Sequence, residues 1–509
     1  MTADDAGEIP AGARRWAWVV AALLVVLGAG WRAKGLDPDS LWLDDLWVAV
    51  LAQSEAWGDL VRLGSSTPVG FSPGPLGLPW SGTLNLGAQL PAYLLGVLAI
   101  VQVLRVGHRA GGWPGALAAG GIVACHPLAI AYAARVKQYS GDLLLSALHL
   151  EALLRLSAPG RGPAGWRLPV WAALGAVGFW VSTMSVFVVW VSAPFVLFRA
   201  WQRGERAQAG ASGAIVVVGT AAFYLGYVSR SVNASLSGFW VDHFFPLDLA
   251  APAIPLRVLH DWLGYAGHGE RGPLGQGGVV LLWLALIAGA AWAWRRPALR
   301  SLLGAAALLI LGLCALNVAG RLPLRTGRVE IFVIPWVALF CGLGVRALWE
   351  RCAPDPRLRV LACGLLLALG LQLVPYAVEP YPAWPSRALV TTLGEEVRPG
   401  DAVWVNLHGT YALAYYGGRP AALVEDARLG SQYHPEPRID GLVILDDEQG
   451  DLDPVPSLDA SPPRVWVLGV HQSAGYASRC DAVLVEGGYV LVSQRVAASC
   501  ALLCYEHGR

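Results

Sequence analysis

Long apolar runs separated by short basic clusters fill the first three-quarters of the chain. Runs of about 17–25 residues without charge are long enough to cross a ~30 Å hydrocarbon core. About eleven occur, over 16–31, 86–104, 113–131, 141–156, 167–183, 184–200, 212–229, 277–294, 299–317, 329–348 and 358–376. Each predicts a transmembrane helix. The pattern changes after 376. Pro380, Pro382 and Pro385 form a linker, and short Val-rich runs at Ala402–Leu407, Arg464–Leu468 and Tyr489–Ser493, bounded by Gly, Pro and Asp, predict strands. The expected architecture is an all-α polytopic membrane protein, 1–376, carrying a small C-terminal α/β domain, 377–509.

The basic residues orient the spans, because Lys and Arg stay preferentially on the cytoplasmic side. With the N-terminus inside, Arg14/Arg15, Arg105/Arg109, Arg155/Arg161/Arg167, Arg199/Arg203/Arg206, Arg295/Arg296/Arg300 and Arg346/Arg351/Arg357/Arg359 all lie in cytoplasmic loops. The first span lacks an A-x-A-like cleavage site and reads as an uncleaved anchor. Four pieces then face outward: a first loop (32–85), the turn around Ala131–Asp142, a loop at 230–276, and the C-terminal domain. The expected location is the plasma (inner) membrane, with the C-terminal domain extracytoplasmic.

Composition supports this class. Of 509 residues 55% are hydrophobic and only 14% charged, which excludes a soluble enzyme throughout and a disordered chain. A net charge of +1 leaves no electrostatic footprint for a nucleic acid. The eight cysteines show no C-x-x-C pairing; most read as small buried hydrophobes, while Cys480, Cys500 and Cys504 lie where one disulfide could form. The stretch 446–463, rich in Pro and Asp, reads as a surface loop.

Two outer segments concentrate ionisable groups. Residues 40–51 read as a short interfacial helix capped by Ser40 or Asp39, with Leu43, Leu46, Trp47, Val50 and Leu51 on one face. Asp45 points nearly opposite that stripe and Asp44 sits at its border. The plain reading is a pair of solvated first-turn acids; the alternative is a carboxylate turned toward a cavity against the bundle. The turn after the third span places Arg135, Lys137 and Asp142 between two apolar runs, a costly position that usually marks function. Lys137 is one of only two lysines in the chain. The plain reading there is cations snorkelling to the interface.

These segments, with Gln89-Leu90-Pro91-Ala92-Tyr93-Leu94-Leu95-Gly96, Ser72-Pro73-Gly74-Pro75-Leu76, Pro127-Leu128...Tyr132...Lys137-Gln138-Tyr139-Ser140 and Leu322-Pro323-Leu324-Arg325-Thr326-Gly327-Arg328-Val329-Glu330, occur in a telling order. In that order and on those membrane sides the sequence resembles the GT-C-fold membrane glycosyltransferases, in the protein O-mannosyltransferase and aminoarabinose transferase lineage of bacteria. The tail Arg398–Val405 followed by Tyr411...Tyr415-Tyr416 is similar to the extracytoplasmic domain of bacterial members. One departure stands out: many relatives carry a glutamate where this chain has Arg135, so a second outer acid is missing unless Asp142 or another carboxylate replaces it.

The resemblance implies inverting transfer of one sugar from a polyprenyl-phosphate donor to an acceptor hydroxyl on a protein, lipid or glycan at the outer face. Such chemistry needs a base for the acceptor proton and cations for the leaving phosphate. Asp44 is then the base, with Asp45 supporting it. Lys137, Arg328, Arg135 and Arg325 are the candidate phosphate-binding residues, and Tyr132, Tyr139 and Asp142 line the substrate. No cofactor is required by the residues, with a divalent metal ion left open; Asp242-His243, His260-Asp261 and His268-x-Glu270 are its only other candidates. Two different classes compete with this reading: an inactive envelope-assembly scaffold, which the Arg135 departure favours, and a lipid or sugar flippase, against which the absence of an internal repeat speaks.

Overall fold

The computed structural model describes residues 11–37, 39–52, 85–159, 163–229, 241–245, 273–324, 328–352, 385–417, 421–426, 432–437, 439–445, 462–471, 475–497 and 499–508. The membrane part begins with α1 (Ala11–Ala33) and the short α2 (Leu43–Ala52), followed by α3 (Asn85–Cys125), α4 (Pro127–Ala131), α5 (Tyr139–Leu156), α6 (Arg167–Val181), α7 (Ser185–Gln202) and α8 (Arg206–Phe223). It continues through α9 (Pro273–Trp294), α10 (Arg300–Val318) and α11 (Ile334–Cys352). Ten of the apolar runs fall on these helices; the run 358–376 lies outside the described residues. Six helical stretches among those described are long and apolar enough to cross a membrane: Arg14–Ala33, Asn85–Cys125, Ser185–Gln202, Arg206–Val228, Pro297–Val318 and Ile331–Arg351. The chain is an integral membrane protein.

The runs 86–104 and 113–131 are joined in α3, which breaks at Gly112. There φ is +63°, a left-handed conformation that glycine adopts without a Cβ clash, so two spans reverse through one residue instead of a loop. Helices α9 and α11 approach so closely that a Cβ at Gly344 would lie 1.9 Å from the Ala285 carbonyl oxygen. Small residues permit such contact between spans.

Side-chain bonds to backbone fix the helix ends opposite the basic cluster. The guanidinium of Arg32, fully buried at the end of α1, donates to the carbonyls of Val123 (2.8 Å), Ala124 (3.0 Å) and Gly28 (3.0 Å). It satisfies carbonyls at the C-terminal end of α3, where a cation also complements the helix dipole. The hydroxyl of Ser146 on α5 donates to Phe332 O at 2.6 Å and accepts from Trp336 Nε1 at 3.0 Å, pinning the start of α11. At the other end of α5, Glu151 gathers Arg105, Arg109, Arg155 and Gln102. This acid closes a basic cluster at the end that the charge pattern assigns to the cytoplasm.

The C-terminal part contains α12 (Ser386–Glu396), β1 (Ala402–Asn406), α13 (Leu407–Tyr416), β2 (Ala421–Asp426), β3 (Gln432–Pro437), β4 (Leu442–Leu445), β5 (Arg464–Gly469), α14 (Tyr476–Glu486), β6 (Tyr489–Ala497) and β7 (Cys500–His507). Five strands form one sheet in the order β4-β1-β5-β7-β6, parallel across β4, β1 and β5, and antiparallel from β5 through β7 to β6. Strands β2 and β3 pair separately. The central strands are buried on both faces: Val403 and Val405 pack to one side, Trp404, Val465 and Val467 to the other. Asn406 caps α13, accepting from Gly409 N, and also bonds Val470 in both directions.

Two expectations are corrected here. Cys480, Cys500 and Cys504 are buried free thiols; Cys480 packs on the opposite face of the sheet from Cys500 and Cys504, and the latter two lie along one strand. Helix α2 is not an interfacial helix with one solvated face. Leu41, Leu46, Val48, Ala49 and Val50 share a hydrophobic core with Val136 of the outer turn and with Val403, Tyr411, Trp466 and Leu502 of the C-terminal unit. The helix is enclosed between bundle and sheet.

Candidate active site

Helix α2 delivers both carboxylates in its first turn. Its first intrahelical bond runs from Leu46 N to Trp42 O at 2.9 Å, so Trp42, not Ser40 or Asp39, occupies the cap position. The upstream backbone is held by Asp37, whose Oδ1 accepts from Asp39 N (2.8 Å) and Ser40 N (3.1 Å), while Asp37 N donates to Gln89 Oε1 at 3.0 Å. Gln89 is thus a tie between the second span and the acidic helix.

Asp45 has no exposed surface. Its Oδ1 accepts from Val136 N at 2.7 Å and its Oδ2 lies 3.5 Å from Arg135 Nη1. The Arg135 guanidinium stacks 4.9 Å from the Trp42 ring. Burial pushes the Asp45 carboxyl up to about 6, against the opposing pull of Arg135 and the Val136 amide. The reading of this pair as solvated acids is therefore corrected for Asp45: the turn that carries Arg135 and Val136 covers the face that the helical pattern leaves polar.

The turn that meets Asp45 is short. Chain passes from α4 through a 3₁₀ turn at Tyr132–Ala134 and then closes a γ-turn over Val136, with Lys137 N donating to Arg135 O at 2.8 Å. That turn puts two neighbouring cations to different uses. Arg135 faces Asp45, whereas Lys137 is buried 5.9 Å from the Trp47 ring and lies in the field of Asp44, Arg328 and Asp45. Burial lowers the Lys137 ammonium below the ordinary lysine range, opposed by the attraction of Asp44.

Asp44 keeps a little solvent access, and its Oδ2 accepts from Arg328 Nη1 at 3.2 Å. Arg328 also hydrogen-bonds Tyr132. Burial alone would lower its affinity for the proton, but Tyr139 and Asp44 outweigh this and raise it. Tyr132 and Tyr139 meet edge to face, ring centroids 4.7 Å apart. The first loop, the turn after the third span and the approach to α11 thereby converge on one point. Two carboxylates, Asp44 and Asp45, face three cations, Arg135, Lys137 and Arg328, which leaves this group with a surplus positive charge suited to an anion.

Asp142 is also buried, but its partner is the Ser182 hydroxyl at the end of α6, apart from the acidic pair. Arg325 lies outside the described residues, as do Ser72–Leu76, His260, Asp261, His268 and Glu270. Among the described residues no group of three His, Cys, Asp or Glu side chains could hold a metal ion. Asp44 and Asp45 each already face an arginine, a donor set that does not fit a divalent cation. The sequence reading missed the C-terminal contribution: Tyr416 Oη accepts from Leu41 N in the loop that carries the acids, and Tyr411 and His408 flank Trp47 with ring centroids at 5.6 and 6.5 Å.

No protein-family description and no curated protein matches this chain. Solved structures do. ArnT from Cupriavidus metallidurans bound to undecaprenyl phosphate superposes with a TM-score of 0.54 at 13% identity, covering 96% of this chain and 98% of that one. The same protein in the apo state gives 0.51, also at 13% identity, over 97% and 98%. The chain has the GT-C fold. The similarity covers both the helical part and the C-terminal unit. The convergence of the first outer loop, the outer turn and the α11 approach lies within this GT-C frame.

Proposed function

We propose that the protein is a glycosyltransferase that moves a single sugar from a polyprenyl-phosphate-linked donor to an acceptor hydroxyl on the outer face of the membrane, with inversion. The observation that carries the reading is the Asp44–Arg328 pair, with Lys137 beside it, at the outer end of a GT-C bundle similar to one that holds undecaprenyl phosphate. The basic loops support an orientation with the N-terminus in the cytoplasm and the C-terminal domain outside.

The chemistry follows from charge. Arg328 and Lys137 bind the donor phosphate, arginine through its planar fork and lysine as a point charge. Phosphate oxygens draw the guanidinium of Arg328 from Asp44 Oδ2, which frees that carboxylate for the acceptor. Asp44 takes the acceptor proton as the acceptor oxygen bonds to the anomeric carbon. The bond from that carbon to the phosphate oxygen breaks, and the released polyprenyl phosphate keeps the electron pair beside the two cations. A single displacement of this kind inverts the anomeric centre. Asp45 and Arg135 act as a buried brace that orients the first turn of α2. Tyr132 and Tyr139 shape the donor side.

The test is mass spectrometry of lipid products after incubating the purified protein in nanodiscs with polyprenyl-phosphate sugars and membrane extract. Wild type consumes one donor and releases polyprenyl phosphate, while Asp44→Asn slows this at least ~100-fold. An inactive scaffold is the second reading, favoured by Arg135 neutralising Asp45 where relatives place an acid. Donor binding without turnover by wild type, with acceptor extract present, would establish that reading instead.

A further inference from the structure

The tyrosine pair that closes α13 has no part in the chemistry above, yet one of its hydroxyls reaches the acidic loop. Tyr416 Oη lies 2.6 Å from Leu41 N, accepting that amide's hydrogen three residues before Asp44. The same hydroxyl hydrogen-bonds Ser40 and Asn85, the first residue of α3. Beside it, the Ser40 and Ser386 hydroxyls are 2.8 Å apart, linking the loop to the start of α12. On the next turns of α2, Trp47 packs on Tyr411 and His408, also from α13. One half-buried hydroxyl thus joins the C-terminal unit, the acidic loop and a membrane span.

From this junction we infer that Tyr416 is a positioning residue, through which the C-terminal domain fixes the start of α2 and so aims Asp44. The inference rests on the proposed glycosyl transfer for its kinetic meaning, but the coupling itself is a matter of structure. Leu41 and the residues of α2 have no long-range backbone ladder of their own. A short helix of ten residues is marginal in isolation, so its position is set by what surrounds it. Besides the Ser40–Ser386 contact and the two arginine pairs, three hydrogen bonds restrain it: Gln89 on Asp37, Val136 on Asp45, and Tyr416 on Leu41. The first two come from the bundle and the third from the sheet unit. Loss of the third leaves the buried Leu41 amide without its acceptor and lets the first turn of α2 move against Arg328. Activity is then conditional on a docked C-terminal domain.

Tyr416→Phe keeps the ring in its packed site and removes only the hydroxyl. Hydrogen exchange of the full-length protein in nanodiscs reads the coupling without any substrate: amides over 41–52 exchange about tenfold faster in the variant, while those of β1, β5 and α5 are unchanged. In turnover assays kcat falls about tenfold with the donor KM within twofold, because Lys137 and Arg328 remain in place. Unchanged exchange over 41–52 would overturn the inference, and so would faster exchange throughout the sheet, which means general loosening. Faster local exchange in a protein whose wild type transfers no sugar would support the positioning role while refuting the proposed function.

Discussion

Replacing Asp45 by asparagine separates the cost of burying this acid from everything else in the protein. With its carboxyl at an ordinary 3.8 in the unfolded chain and about 6 in the fold, ionised Asp45 costs folding about 3 kcal/mol at pH 7.5 and about 1 kcal/mol at pH 4.5. The sign follows from the direction of the shift. A raised carboxyl binds its proton more tightly in the fold, so the penalty is complete above pH 6 and fades as pH falls toward 4. Wild type therefore gains about 2 kcal/mol from this group on acidification from pH 7.5 to 4.5. Asp45→Asn gains none. Its amide oxygen still accepts from Val136 N, and the loss of the Asp45 charge beside Arg135 costs the same at both pH values because arginine stays charged throughout. Equilibrium unfolding by SDS in mixed micelles, run on both proteins at the two pH values, reads the difference. The gap between them should move by about 2 kcal/mol in favour of the variant at the higher pH. Parallel pH dependence in both proteins, or a shift in the opposite direction, would refute the account of Asp45 as a desolvated acid.

Other substitutions probe neighbouring parts of the same construction. Lys137→Met should weaken binding of polyprenyl phosphate about tenfold in a direct lipid-binding titration, while leaving the folded protein at least as stable, because a buried ammonium is replaced by an apolar side chain of similar length. Arg135→Glu sets a second carboxylate against buried Asp45 and removes the charge over Trp42. The expected result is a loss of roughly 3 kcal/mol or more in unfolding at pH 7.5, not the activation that a relative-like acid would suggest. Gly344→Ala places a Cβ against the Ala285 carbonyl and should cost about 2–3 kcal/mol by the same assay, since two helix backbones must separate.

Hydropathy alone located the long helices well, because a ~30 Å hydrocarbon core demands long uncharged runs whatever surrounds them. Ten of those runs became helix, and the Val-rich runs of the tail became β1, β5 and β6 with ends displaced by few residues. The same arithmetic misjudged local detail. It separated two runs that α3 joins through Gly112, since a left-handed glycine can do the work of a loop. It placed the cap of α2 on Ser40 or Asp39, although those residues are committed to Asp37 Oδ1 and Ser386.

The candidate site was legible as composition and not as arrangement. Asp44, Asp45, Arg135, Lys137 and Arg328 stand out in the sequence because charges next to apolar spans are costly and seldom idle. Which acid pairs with which cation depends on contacts spanning as many as 284 positions, from Asp44 to Arg328, and helical periodicity carries no information at that range. The periodicity put Asp45 on a polar face. Tertiary structure reversed this by laying the turn that carries Arg135 and Val136 against α2, turning a nominally solvated acid into the more enclosed member of the pair. The sequence by itself determined the membrane class and the positions of the helices, and it marked the charged residues of the candidate site, since these follow from local free energies of transfer. Only the fold decided that Asp44 faces Arg328, that Arg135 serves Asp45, and that Tyr416 holds the loop, because the first two join segments of the bundle that are distant in sequence and the third joins the bundle to the sheet unit.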